Sequence, residues 1–382
     1  MGGSGTGPDR LTDDGAAPAW DRFAHWRAWP ARVLLAVVTV LLVLAAFTPL
    51  TATMDGAPAE VPEFAQADDA TSAGEEPERD EDLAFYDRVI ERVADGENYY
   101  VFIVEEQRAR NYPVRPGATV RLPTLAYIHA WLGEPGMIVL SILLMVACIW
   151  AWWKRLGEEP GGKRMQRIGA ALMFMGGSLG LNRGYFVLHE LWAGMLIALA
   201  FGLHRPGRWG WALAVAALAL AIREHALPFV LLLGAMAAWR RDWKEAVAWG
   251  ALVAVFLAAM SWHLAQVEPQ VLPSDPESPD WFVLRGLSGW LGNIVLSSNL
   301  RFLPHEVAGP LVLLMALGWA GWKSPAGTTG TFLYLGYGLA FMLAGRANNF
   351  YWGAVVAPAM FIGLAFLPIA LRSLVTSAKG RA

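Results

Sequence analysis

"HELWAGMLIALAFGLHRPGRWGWALAVAALALAIREHALPFVLLLGAMAAWRR" (189–241) contains three apolar runs, 190–203, 209–222 and 226–239, separated by charged turns. As a helix each run reaches about 21 Å, well short of a bilayer core of about 30 Å. Arg205, Arg208, Arg240 and Arg241 hold one end of these helices at headgroup level, so the shortfall falls at the other. There the chain places Asn182 and Arg183, then His189 and Glu190, then Arg223, Glu224 and His225. On straight helices these groups lie about 9 Å below the far surface. Ionisable groups at that depth are too costly against lipid, so the pattern predicts a wet hollow between helices.

The rest of the chain agrees with a membrane reading. Its 382 residues are 55% hydrophobic, and the mean hydropathy is +0.38. Such values exclude an ordinary soluble enzyme, and the dispersed basic residues exclude a nucleic-acid surface. The fold class expected is all-α, a polytopic bundle of about ten spans. They fall near 32–50, 136–153, 166–182, 190–203, 209–222, 226–239, 246–264, 308–322, 329–345 and 351–371. This alternation puts 18 of the 30 Lys and Arg, and all five lysines, on the side of the N-terminus. The positive-inside rule then makes both termini cytoplasmic, with tails at 1–31 and 372–382. Cys148, the single cysteine, sits in an apolar run and reads as a buried small hydrophobe.

Two long segments, 55–135 and 265–307, fall on the far side. The first carries 18 Asp and Glu against seven Arg. Its front, 55–79, is rich in Pro, Ala and Glu without periodicity and reads as disordered. From Leu83 the pattern changes: Leu83, Tyr86, Val89, Ile90 and Val93 recur at helical intervals. This predicts an amphipathic helix over about 81–95, lying on the membrane face and ended by Gly96.

An acidic residue four before a tyrosine in "DEDLAFY" (80–86), a helix ending in "DGENYY" (95–100), and "RPGATVRLPTLAYIHAWLG" (115–133) follow one another before the second span. This order resembles the GT-C glycosyltransferases, polytopic enzymes that include protein O-mannosyltransferases and aminoarabinose transferases. The stretch "REHALPFVLLLGAMAAWRRDWKEAVAWG" (223–250) is similar to bacterial members. The resemblance implies a bacterial inner-membrane protein with a periplasmic site and a polyprenyl-phosphate-linked sugar as donor. The acceptor would be a hydroxyl of a glycan, lipid or protein, and transfer would invert the anomeric centre. In the family an acidic residue of the first external loop serves as base or metal-linked acid. Asp82 is the matching position, with Asp80 and Glu81 beside it leaving the register open. His189–Glu190 is the candidate for the second carboxylate region, and a divalent metal is possible in such a site.

The chemistry asks for the same residue types. Sugar transfer from a lipid phosphate needs a base for the acceptor proton and positive charge for the departing phosphate. Asp82 suits the first role. Arg346, Arg223 and Arg121 suit the second, because a guanidinium bonds two phosphate oxygens at once. The external turn "GRANNFYWG" (345–353) adds Asn348, Asn349 and Tyr351 as neutral donors, while Tyr86 and His189 complete the candidates. Arg223 and Glu224, adjacent on a helix, point about 100° apart and are not expected to face one ligand. No HExxH or paired metal-ligand spacing is present. Two other classes fit the composition: a transporter or lipid flippase using the sunken charges as a pathway, and a non-catalytic assembly partner docking through its acidic loop.

Overall fold

The computed structural model describes residues 20–50, 80–159 and 162–380. The tract 55–79, expected to be disordered, lies outside the described residues. Among the described residues the chain is all-helical, with no strand. In chain order the helices are α1 (Ala28–Phe47), α2 (Glu81–Ala94), α3 (Tyr99–Ala109), α4 (Thr124–Gly157), α5 (Gly162–Gly177), α6 (His189–Leu203) and α7 (Gly210–Ile222). They continue as α8 (Leu227–Trp239), α9 (Trp243–Val267), α10 (Gly286–Leu296), α11 (His305–Gly321), α12 (Pro325–Leu343), α13 (Ala357–Met360) and α14 (Leu367–Ala378).

Helices α1, α4 and α9, the last two with the 3-10 turns beside them, are long and apolar enough to cross a membrane. A pair bent by 53°, Ala357–Ala365 and Leu367–Ala378, makes a fourth candidate. Exposed Trp29 and Phe47 bracket α1, and exposed Trp243 and Trp262 bracket α9. Along the helix axes these pairs stand about 27 and 29 Å apart, the spacing of the two aromatic belts of a bilayer. Helices α6, α7, α8, α10 and α11 are apolar but shorter. An aromatic stack of Trp152, Phe201, Trp319 and Tyr334, with ring centroids 5.2 to 5.7 Å apart, ties the middle of the bundle together.

One end of the bundle gathers both described chain ends. Arg22 donates to the Ala320 and Trp322 carbonyls, and Ser377 Oγ donates to the Phe23 carbonyl. The same end buries Glu245, which meets His204 Nε2 at 2.7 Å and Arg240 Nη2 at 2.9 Å.

The opposite end carries a cap built from α2 and α3. Asp80 starts α2, its carboxylate accepting from the Asp82 and Leu83 amides at 3.0 and 3.3 Å. Gly96, at φ +90°, ends it. The Gly96 amide bonds back to Val93 and the Glu97 amide to Arg92, a Schellman closure that a side chain at that φ would strain. The apolar stripe of α2 packs on protein instead of lying on the membrane. Phe85, Val89 and Val93 join Phe102, Ile103 and Val267 in a small core, and Leu83 packs with Tyr185, Val187 and Leu191 at the head of α6. The stripe is as wide as a membrane-surface helix needs, and only neighbouring chain decides which apolar phase covers it.

The segment 265–307 also differs from a simple external loop. It contains α10, whose Trp290, Leu291, Asn293, Ile294 and Val295 are buried against α12 and the turn Ala347–Val355. An apolar run of 11 residues is too short to span, but it is a natural length for a helix buried in protein. The remainder of the segment is clamped to the cap. Arg108 grips Asp275 with two hydrogen bonds and reaches the Gln270 carbonyl at 2.9 Å. Those bonds hold the Asp275 carboxyl below the usual carboxylate range. A carboxyl so depressed stabilises the fold fully above its unfolded pKa of about 4 and loses that contribution as pH falls through its folded value. Acidification below about pH 4 should therefore raise the opening of α3, read as amide hydrogen exchange corrected for the intrinsic rate at each pH. Asp275→Asn should exchange faster at neutral pH and lose the acid-dependent increment. An unchanged acid response in the variant would assign the effect to another group.

Candidate functional site

Beneath the cap lies a cavity of about 870 Å³. Its floor is set by the short helices. Tyr337 Oη, six residues before the end of α12, donates to the His225 carbonyl at 2.5 Å, just before the head of α8. At 1.5 Å per residue the head of α8 lies about 9 Å below the end of α12. Asp82, Tyr86, Arg121, Glu190, Arg223, Arg346, Asn348, Asn349 and Tyr351, scattered over 270 positions of sequence, all line this cavity. His189 does not. It is buried behind Tyr86, ring centroids 5.3 Å apart, against a small crevice under α2.

The three adjacent carboxylates separate by position. Glu81 is off the cavity wall; Asp80 and Asp82 are both on it, but the Asp80 carboxylate is engaged as the N-cap of α2, which leaves Asp82 as the wall carboxylate with no capping role. Tyr112 lines the wall beside Asp82, and burial, reinforced by the Asp82 carboxylate, pushes its phenol well above the usual range.

Helix α7 stops at Ile222, and Arg223 is extended (φ −149°, ψ 120°), so residues 223 and 224 do not lie on one continuous helix. The expectation that they diverge by 100° therefore fails, and both line the cavity. Arg223, 1% exposed, stands 2.7 Å from Glu190 Oε1 and 2.5 Å from Glu224 Oε1. The contact to Glu190 is close, but the N–H misses the oxygen, leaving Arg223 Nη2 and Glu190 Oε1 without hydrogen-bond partners among the described residues. Arg121 lies 3.9 Å from each carboxylate and donates to Tyr86 Oη at 3.2 Å. Two guanidinium groups are thus matched by two carboxylates, and the quartet ties α2, α6 and the α7–α8 turn together. Glu190, 2% exposed, is occupied by this pairing; Glu224, whose side chain is 32% exposed, is the more open carboxylate.

Arg346 is different. Its guanidinium makes no hydrogen bond or ion pair among the described residues, although its Nε is buried. The turn that carries it is fixed from within. Asn349 Oδ1 accepts from the Arg346 amide at 3.1 Å, and Asn349 Nδ2 donates to Tyr351 Oη at 3.3 Å. Asn349, expected to bond substrate, instead shapes the turn and places Tyr351. A Cβ on Gly353 would stand 1.9 Å from the Asn293 carbonyl oxygen, so only glycine lets the turn approach α10 this closely.

Sequence reasoning did not single out Trp281, Tyr112 or Ser297, which also line the cavity. The run "DWFVLRG" (280–286), apolar within an acidic external segment, was the available signal. Among the described residues no three His, Cys, Asp or Glu side chains stand together as metal ligands, and the chemistry below is routed through none. A scan against protein-family models and searches of curated proteins and of solved structures return no match to this chain.

Proposed function

We propose that the protein is a GT-C-type glycosyltransferase of the bacterial inner membrane, with about ten passes and both termini in the cytoplasm. It moves a sugar from a polyprenyl phosphate to an acceptor hydroxyl on the periplasmic side. One observation carries the reading: Asp82 and Arg346, whose guanidinium has no hydrogen bond or ion pair among the described residues, open onto the same large cavity, where Arg121, Arg223, Glu190 and Glu224 are matched to one another. The acceptor oxygen attacks the anomeric carbon, the carbon–oxygen bond to phosphate breaks, and the hydroxyl proton passes to the Asp82 carboxylate. The departing lipid phosphate gains one negative charge over the diester it leaves. Arg346 meets that charge, Tyr351 and Asn348 supply neutral hydrogen bonds, and attack opposite the leaving group inverts the anomeric centre. The Arg121, Arg223, Glu190 and Glu224 quartet keeps Tyr86, one turn from Asp82, seated on the bundle.

Arg346→Gln, made in full-length protein reconstituted in liposomes, tests the phosphate role. Charge-assisted hydrogen bonds contribute about 1.5–3 kcal/mol, so affinity for a polyprenyl-phosphate sugar should fall about 10- to 150-fold. Unchanged affinity would remove Arg346 from the mechanism. A transporter would move a labelled lipid or solute across sealed vesicles without forming a glycosidic bond, and an assembly partner would do neither.

A further inference from the structure

Helix α8 packs between α9 and α12 and is the short member of the three. At 13 residues it covers about 20 Å of a roughly 30 Å core, and exposed Trp239 fixes its far end in the belt near the chain termini. The uncovered stretch therefore lies at the cavity end, above His225. Two walls flank it. On α9, Phe256, Met260 and Leu264 line the cavity at i, i+4 and i+8, an apolar track about 12 Å long. On the α12 side runs segment 281–285, fixed to the end of that helix by the Arg285 amide on the Met342 carbonyl at 2.9 Å and the Gly345 amide on the Trp281 carbonyl at 2.7 Å.

This segment has two faces. Trp281 lines the cavity, while Phe282 and Leu284 are 87% and 80% exposed on the outside. The outward residues continue the exposed apolar stripe of α12, Phe332, Leu335, Leu339 and Leu343, at the level where that helix ends. Helix α12 has 19 residues, about 28 Å of rise, and a contiguous exposed stripe of Phe and Leu along such a length is an apolar patch of the kind that acyl chains cover.

We infer that segment 281–285 is an intramembrane partition one residue thick, anchored in lipid by Phe282 and Leu284, and that the apolar chain of a phosphate-bearing lipid crosses into the cavity between it and α9. The partition follows from geometry alone; the phosphate on the lipid rests on the proposed function. The head of such a lipid reaches the arginines, and its chain follows the α9 track out over the top of α8.

The test uses the full chain in phosphatidylcholine nanodiscs doped with polyprenyl phosphate. Buried Cys148 leaves thiol labelling specific to an introduced site. An environment-sensitive fluorophore attached through Phe282→Cys or Leu284→Cys should lose most of its emission to nitroxides on lipid acyl chains and keep it against an aqueous quencher. The same label through Glu105→Cys, on the exposed side of α3, should do the reverse. Aqueous quenching at 282 and 284, or photocrosslinks from 282 to a second copy of the chain, would overturn the partition. A benzoylphenylalanine in place of Trp281 should crosslink polyprenyl phosphate severalfold above its mole fraction. Adducts that merely follow bulk lipid composition would overturn the crossing. An enriched adduct at 281 in an Asp82→Asn protein that still transfers sugar would uphold lipid access while removing the catalytic reading.

Discussion

Asp82→Asn should lower sugar transfer by about 10²- to 10⁴-fold, the usual contribution of a positioned general base. Folding should be unaffected, because α2 is capped by Asp80 and its apolar face is held by Phe85, Val89 and Val93. The neighbouring acids make the control. Asp80→Asn keeps a good N-cap and should retain activity, Asp80→Ala should cost about 1 kcal/mol of stability without abolishing chemistry, and Glu81→Gln should be silent. Transfer measured in liposomes with a labelled polyprenyl-phosphate sugar reads all four variants. Full transfer by Asp82→Asn would take that carboxylate out of the mechanism, whatever the others do.

Arg223→Gln should be the most destabilising substitution in the site. It removes the guanidinium that balances Glu190 and Glu224, leaving Glu190 buried beside only the more distant Arg121. Breaking a buried pair from one side costs about 3–5 kcal/mol, more than truncating an exposed charge by severalfold. The double variant Arg223→Gln, Glu190→Gln should recover part of that loss, because no uncompensated charge then remains at that position. Denaturation midpoints in detergent measure both. A double variant no more stable than Arg223→Gln alone would show that the two groups are not energetically coupled, and would make the arginine's role a contact with something else.

These expectations show how unevenly the sequence could be read. The short apolar helices were legible because helix length is counted in residues: 190–203, 209–222 and 226–239 lie within a residue or two of α6, α7 and α8. The grouping of Glu190, Arg223 and Glu224 at the ends of these short helices was legible for the same reason, since each apolar run stops where the charged turn begins. Helix α2 was legible from its apolar periodicity and from Gly96. Its partner was not, because a stripe of Phe, Val and Leu is equally suited to lipid and to protein. Helix α10 was missed because 11 apolar residues within a polar segment fail the length test for a span. The joint use of Arg223 and Glu224 was missed because a continuous helix was assumed where the backbone turns extended.

What the sequence determined by itself was the inventory: an all-helical chain with a few helices long and apolar enough to cross a membrane, and shorter apolar helices that carry ionisable groups at one end. Helical rise, hydrophobicity and the cost of charge in lipid are local properties, so local sequence is enough to state them. Which of those groups meet was decided only by the tertiary structure. Pairing Arg223 with Glu190, leaving Arg346 without a partner among the described residues, and turning Trp281 inward while Phe282 turns outward all depend on contacts between distant segments, and no single stretch carries that information.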